Sequence, residues 1–337
     1  MKALDTAKLS DLAAALAEAG YRVIAPVSDG EVLRLAEWTA GDEIRTDGFA
    51  VNSIKDILLP RSEVIASATI DGDAFSLTDV PVEAPKTVAL GVRCCDVAAL
   101  AMLDAVFNWD YEDAFYNARR EATTVVALAC TTCDEQCFCT SVGGAPDAAP
   151  AADAILRPAD GGAKLALETQ TDKGAALADA AAGVLADLDV KPDPPADVPV
   201  IFDAEAVTEW CAGNFESDLW QAVSLGCLGC GACAYACPTC HCFDMQDEGT
   251  RTAAVRLRNW DSCGFGLFTQ HASGHNPRPE QAHRWRQRVM HKFSYLPERF
   301  EVLGCTGCGR CARLCPANVA ISEVCRQIDQ EAKAPAP

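Results

Sequence analysis

Two stretches of this chain set four cysteines at identical intervals, Cys-x2-Cys-x2-Cys-x3-Cys-Pro. The first is Cys227, Cys230, Cys233 and Cys237 before Pro238, and the second is Cys305, Cys308, Cys311 and Cys315 before Pro316. Three thiolates at two-residue gaps wrap three irons of a cube, while the intervening glycines let the backbone turn sharply toward the sulfurs. The pattern therefore predicts two [4Fe–4S] clusters. Where two clusters share such motifs, the fourth cysteine of each ligates the other one. That predicts Cys227, Cys230, Cys233 and Cys315 on one cluster, and Cys305, Cys308, Cys311 and Cys237 on the second. A four-cysteine zinc site is the alternative, but zinc does not need three cysteines at two-residue gaps followed by Cys-Pro, twice over.

A looser constellation lies earlier: Cys94 and Cys95, Cys130 and Cys133, then Cys137 and Cys139. Residues 87–92 and 124–129 read as buried strands, and 97–107 as a helix with Leu100, Leu103 and Val106 on one face. If the two strands are parallel neighbours, these thiols meet at the carboxyl edge of one sheet, the usual ligand position in such domains. A third [4Fe–4S] cluster is one reading of the group. Inert buried thiols and a zinc site are the others.

Helical spacing at Leu9, Leu12 and Leu16 places a helix over residues 1 to about 20, with a strand over 21–25 ahead of Pro26. Residues 154–169 read as a hairpin about Asp160-Gly161-Gly162, and 204–225 as helix with Trp210 and Trp220 in the core. Lys191-Pro192-Asp193-Pro194-Pro195 interrupts helix and sheet alike. The expected class is α+β, with an N-terminal α/β domain over 1–195 carrying the third-cluster candidate. A mostly α-helical, ferredoxin-like dicluster domain is expected over 196–337. The 67 residues between the motifs, including Glu280 to Lys292, look largely helical.

Nineteen cysteines in 337 residues, with no apolar signal core after the initial Met-Lys-Ala-Leu-Asp, indicate reduced thiols and a cytoplasmic protein without a membrane span. A net charge of −20 excludes nucleic acid as a partner. The charge is uneven: twelve Lys/Arg stand against five Asp/Glu between Arg251 and Arg326, around the cysteine motifs. Arginines there offset cluster charge and influence potential, or else form an ordinary solvated face. Cys240, Cys242 and Cys263 read as pocket-lining thiols rather than ligands. All five histidines (His241, His271, His275, His283, His291) fall beside or between the motifs, where hydrogen bonding is the favoured role over iron ligation or proton transfer.

The chain resembles the dicluster iron–sulfur subunits represented by the A subunit of anaerobic sulfite reductase and the β subunit of cytoplasmic sulfhydrogenases. The resemblance rests on Asn52-Ser53-Ile54-Lys55 with Pro60 and Glu63, the turn Gly91-Val92-Arg93-x-Cys95-Asp96, and Cys137-Phe138-Cys139. It extends to Cys237-Pro238-Thr239-Cys240-His241-Cys242-Phe243-Asp244 and Gly274-His275-Asn276-Pro277-Arg278. It implies Cys95, Cys130, Cys137 and Cys139 as third-cluster ligands, with Cys94 and Cys133 left over. It also implies an electron relay between a flavin- and NAD(P)-binding reductase partner and a catalytic subunit of the siroheme or nickel–iron type. No Gly-x-Gly-x-x-Gly or phosphate loop is present, in keeping with a carrier rather than a nucleotide-binding enzyme. Two alternatives are a reductase with its own substrate site at the N-terminal cysteine-ligated cluster and a redox-sensing regulator. The regulator lacks a recognisable DNA-binding helix.

Overall fold

The long apolar runs Thr87–Arg93 (β6) and Thr123–Leu128 (β7) lack polar alternation because both faces of each strand are covered, and every residue in them is buried. They are the centre of an eight-stranded sheet in this computed structural model, which describes residues 1–334. The other members are β1 (Lys2–Asp5), β2 (Arg22–Asp29), β3 (Val32–Glu37), β8 (Ala154–Ala159), β9 (Lys164–Thr169) and β10 (Ala186–Asp187). The order is β10-β1-β9-β8-β7-β6-β2-β3. Strands β2, β6, β7 and β8 run parallel and the outer strands antiparallel.

Period-two alternation sends Val126 and Leu128 to one face, against Leu12 and Leu16 of helix α1 (Leu9–Glu18). Val125 and Ala127 go to the other, against Leu100 and Leu103, which lie on one of the chain's next helices. These are α2 (Lys55–Leu58), α3 (Cys94–Phe107), α4 (Ala114–Ala122) and α5 (Asp172–Ala180). Each buried leucine contributes about 1.5–3 kcal/mol, so the two apolar faces fix which way β7 presents its end.

Several expectations need correction. The helix begins at Leu9 rather than at the first residues, which form β1 against β9. Strand β2 continues through Pro26. Proline has no N–H for a ladder, and the parallel β2–β6 pairing stops at Ile24. Opposite it, β6 carries Gly91 at φ +73°, where the register against β7 slips and a Cβ would meet the Pro26 ring at 3.4 Å. The hairpin over residues 154–169 forms as expected.

The stretch between the motifs is helical over Gln281–Met290, but Phe243–Gly249 (β11) and Ala253–Trp260 (β12) make a hairpin. Val255 and Leu257 alternate with Arg256 and Arg258, a strand period. The hairpin joins β4 (Ser62–Asp71) and β5 (Ala74–Asp79) in a four-stranded antiparallel sheet ordered β11-β12-β4-β5. This sheet draws on both sides of the proline-rich segment at 191–195. Beneath it, Arg258 pairs with Glu63 at 2.8 Å and with Asp113, while Arg119 reaches Glu63 at 2.7 Å.

Helices surround the motifs: α6 (Ala204–Gly213), α7 (Leu219–Ser224), α8 (Ala232–Ala236), α9 (Gln281–Met290), α10 (Leu296–Phe300), α11 (Arg310–Arg313) and α12 (Ile321–Lys333). Trp220 and Trp285 are buried among them with Val289, Phe293, Val324 and Ile328, and Trp210 meets Trp220 edge-on at 5.6 Å. No helix among the described residues is long and apolar enough to cross a membrane. Residues 335–337, the end of the 196–337 segment, lie outside the described residues.

A buried ion pair is among the contacts that join this helical part to the large sheet. Arg310, at the start of α11, makes a bidentate pair with Asp96 in the first turn of α3, at 2.6 and 2.7 Å, and its Nε donates to the Ala50 carbonyl. Both residues are almost fully buried. Removing one partner of a buried pair strands the other charge and costs about 3–5 kcal/mol. Asp96→Asn is therefore expected to lower the thermal midpoint of the protein well below wild type, measured by circular dichroism. Arg310→Lys, which keeps the charge but loses the fork, should fall between the two.

Candidate metal centres

The two motifs share one backbone shape. Gly229 and Gly231 have φ of +64° and +74°, and Gly307 and Gly309 have +65° and +72°, so each loop makes the same pair of left-handed turns. Helices α8 and α11 begin directly after the second glycine of each pair. Space is as restrictive as conformation. A Cβ on Gly231 would sit 2.5 Å from the Phe265 ring, and one on Gly309 would sit 2.4 Å from the Gln136 carbonyl.

The first cavity is lined by Cys227, Cys230 and Cys233, together with Cys315 and Pro316 from the second motif. Cys263 also lines it. The cross-motif set expected from sequence is thus brought to one cavity. The Gly229 N–H and Gln281 Nε2 donate to the Cys227 sulfur at 3.4 and 3.1 Å, and the Val319 N–H donates to the Cys315 sulfur at 3.2 Å. Cys230 is exposed, so this cavity reaches the surface.

In the second group Cys237 is buried and Cys305, Cys308 and Cys311 are half-buried. Burial pushes the thiols of Cys305 and Cys311 up, to about 12 and about 11, and the nearby Cys237 adds to the rise at both. Cys308 is raised by the same burial, with Cys237 again contributing. Cys237 moves the opposite way, held well below the ordinary thiol value by a hydrogen bond from the Cys240 thiol. Lys292, Arg288 and Thr239 pull in the same direction against its burial. The Thr239 hydroxyl, 3.2 Å from the Cys237 sulfur, donates to the Gly304 carbonyl at 2.6 Å, which brings Cys237 beside Cys305, and Cys237 favours the thiolate that metal ligation needs.

The N-terminal cysteines converge as well. Strands β6 and β7 are parallel neighbours, so Cys94 and Cys95 at the start of α3 and Cys130 after β7 leave the same sheet edge. With Cys133, Cys137 and Cys139 they line a third cavity, whose far wall is Gly307 and Cys308 of the second motif. The contact is tight: the Phe138 N–H donates to the Gly307 carbonyl at 3.0 Å, and a Cβ on Gly307 would lie 2.4 Å from the Cys139 nitrogen. The Cys94 thiol donates to the Leu128 carbonyl and the Cys133 thiol to the Asp197 carbonyl, at 3.8 and 3.3 Å. The Cys130 and Cys137 sulfurs instead receive Arg93 at 3.8 Å and Arg313 at 3.2 Å. Ala196 and Val198, just past the prolines, pack over Cys130, Cys137 and Cys139.

The cysteines of the first and third groups rim cavities. No three His, Cys, Asp or Glu side chains among the described residues converge as a single metal ion requires. A cube of iron and sulfide, which takes one thiolate at each corner, fits such a rim. Cys240 and Cys242 lie beside the thiolate candidates, Cys240 near Cys237 and Cys242 near Cys263. Of the histidines, His241 turns its Nδ1 to the Thr239 carbonyl at 3.0 Å and stacks edge-on with His291, while His271 pairs with His275.

Sequence reasoning passed over Lys55, which is buried and donates to the Ala234 carbonyl of α8 at 3.1 Å while lying over the Trp260 ring. It was visible only as part of the Asn52-Ser53-Ile54-Lys55 stretch. A lysine flanked by Ile54 and Asp56 gives no pattern that marks it as interior.

Comparison with known proteins agrees with this geometry. Residues 226–319 match the 4Fe-4S dicluster domain family. Over 310 residues the chain is 30% identical to sulfhydrogenase 2 subunit beta of Pyrococcus furiosus, an alignment covering 88% of this chain and 89% of that subunit. No solved structure matches. With its paired cysteine loops and a likeness extending over nearly the whole length of that subunit, the chain belongs to the family of dicluster 4Fe–4S subunits that includes it.

Proposed function

We propose that this chain is a cytoplasmic electron-relay subunit. It would take electrons from a flavin- and NAD(P)-binding reductase and deliver them to the catalytic subunit of a hydrogenase- or sulfite-reductase-type complex. The observation that carries this reading is that the three cysteine groups adjoin one another. Cys315 and Cys237 are exchanged between the first and second, and Cys308 belongs to the second group while walling the third. Iron–sulfur clusters, when bound, supply one-electron carriers. The chain's own part is to hold them side by side, with the exposed thiol of Cys230 at the first group and that of Cys133 at the third.

The ligand sets are Cys227, Cys230, Cys233 and Cys315; Cys305, Cys308, Cys311 and Cys237; and Cys95, Cys130, Cys137 and Cys139. The carbonyl-directed thiols of Cys94 and Cys133 support leaving those two out. The 1–195 and 196–337 halves act as two domains, and the helices flanking the motifs support an α-helical ferredoxin arrangement for the second. The identity with a sulfhydrogenase β subunit supports partners of the reductase and hydrogenase kind.

Anaerobically purified protein is expected to contain about twelve irons and as many acid-labile sulfides per chain. About eight would remove the third centre. Substituting Cys137→Ser and Cys139→Ser together should lower the iron content by about a third, leaving the other signals in the low-temperature EPR spectrum. The isolated chain is expected to bind no flavin and to leave NADH and NADPH unoxidised. Stoichiometric flavin binding with NAD(P)H oxidation would defeat the relay reading.

A further inference from the structure

Six lysines and arginines are buried among the described residues: Lys55, Arg93, Arg258, Arg288, Lys292 and Arg310. Two of them are neutralised by carboxylates, Arg258 by Glu63 and Asp113, and Arg310 by Asp96. The other four have no carboxylate within ion-pair distance among the described residues. Arg93 points its Nη1 at the Cys130 sulfur. Of the remaining three, Lys292 contacts a thiol of the second group directly, while Arg288 lines the first cavity beside Cys233. Lys292, 4% exposed, spends its three N–H bonds on the Cys237 sulfur at 3.4 Å, the Thr239 hydroxyl at 2.9 Å and the Gly304 carbonyl at 2.6 Å. Arg288, one helical turn earlier, is 5% exposed, reaches only the Cys240 sulfur and the Cys233 carbonyl, at 3.9 and 3.5 Å, and leaves its Nε with no partner at all. Lys55, on α2, donates to the Ala234 carbonyl, three residues before Cys237.

Three interior cations without an anion would be untenable in a folded protein, since an isolated buried charge costs many kcal/mol. The local backbone nonetheless goes out of its way to hold them. Lys292 lies on a π-helical turn, His291–Tyr295, inserted between α9 and α10. Gly304 has no room for a Cβ, which would fall 2.8 Å from the Lys292 Cα. A four-thiolate cluster carries net negative charge and is the counter-charge that such an arrangement lacks.

We propose that Lys292, supported by Arg288 and Lys55, is the residue that sets the reduction potential of the centre held by Cys237, Cys305, Cys308 and Cys311, and makes it the most positive of the series. This inference rests on the relay reading and adds to it a place where the electron settles. When a reductant such as dithionite gives one electron to that centre, no bond to the protein forms or breaks. The added negative charge is met by the ammonium at the Cys237 sulfur and the two further cations. Burial alone would work in the opposite direction, by disfavouring the extra charge.

The test is a mediated redox titration followed by low-temperature EPR, on the full chain with iron and sulfide measured in the same samples. Lys292→Met is expected to retain its iron and shift one midpoint to a more negative potential, that midpoint being the highest in wild type. Lys292→Arg should leave it near the wild-type value. Lys55→Met, on a different element, should shift the same midpoint in the same direction by less, and it decides the question alone if Lys292→Met loses iron. Unmoved midpoints in both neutral variants, or a shift confined to a lower-potential signal, would overturn the proposal. Wild-type protein that contained no iron would instead overturn the relay reading itself.

Discussion

The buried bidentate pair between Arg310 and Asp96 is the contact on which the meeting of the two halves most directly depends. Asp96 sits in the first turn of α3, at the carboxyl edge of the large sheet, and Arg310 opens the helix of the second cysteine motif. Their contact fixes the distance between the N-terminal thiols and the second motif. Gly307 and Gly309 can then lie directly against Cys139 and Gln136, without side chains between. A looser joint would admit water between the adjoining groups.

Much of this was legible in the chain and some was not, for identifiable reasons. The paired motifs, the parallel β6 and β7, and the 154–169 hairpin carry strong local signals: fixed cysteine spacing, short apolar runs, and a turn rich in glycine. The meeting of Cys95, Cys130, Cys137 and Cys139 followed once the two strands were parallel neighbours. Strand β1 was hidden because four residues give no measurable period, and its partner β9 lies far along the chain. The Phe243–Trp260 hairpin was missed because β11 is polar and exposed, so half of the hairpin carries no apolar period. Its stability comes from pairing with β4, a tertiary contact that no local window contains.

Charge was the property least readable from sequence. The run of arginines between Arg251 and Arg326 contains residues of opposite fate. Arg256 forms a surface pair with Asp247, while Arg288 is enclosed with its Nε unbonded. Both are simply arginines in a basic segment until the fold assigns them sides. The histidines behave similarly: His241 and His291 are drawn inside, and burial lowers the pKa of each, whereas His271 and His275 stay at the surface.

The four-stranded sheet has a consequence for how the protein is made. Ser62 of β4 bonds Asn259 of β12 across a sequence separation of 197 residues. At synthesis rates of about 5–20 residues per second, the open edge of β4 waits roughly 10–40 s on the ribosome for its partner. An unpaired edge of that kind invites pairing with another nascent chain. Glu63 and Asp71, on a strand otherwise rich in small and apolar residues, give that edge two charges. Glu63 later becomes the carboxylate that Arg258 and Arg119 bury, so one residue would serve first as a guard against aggregation and then as an anchor.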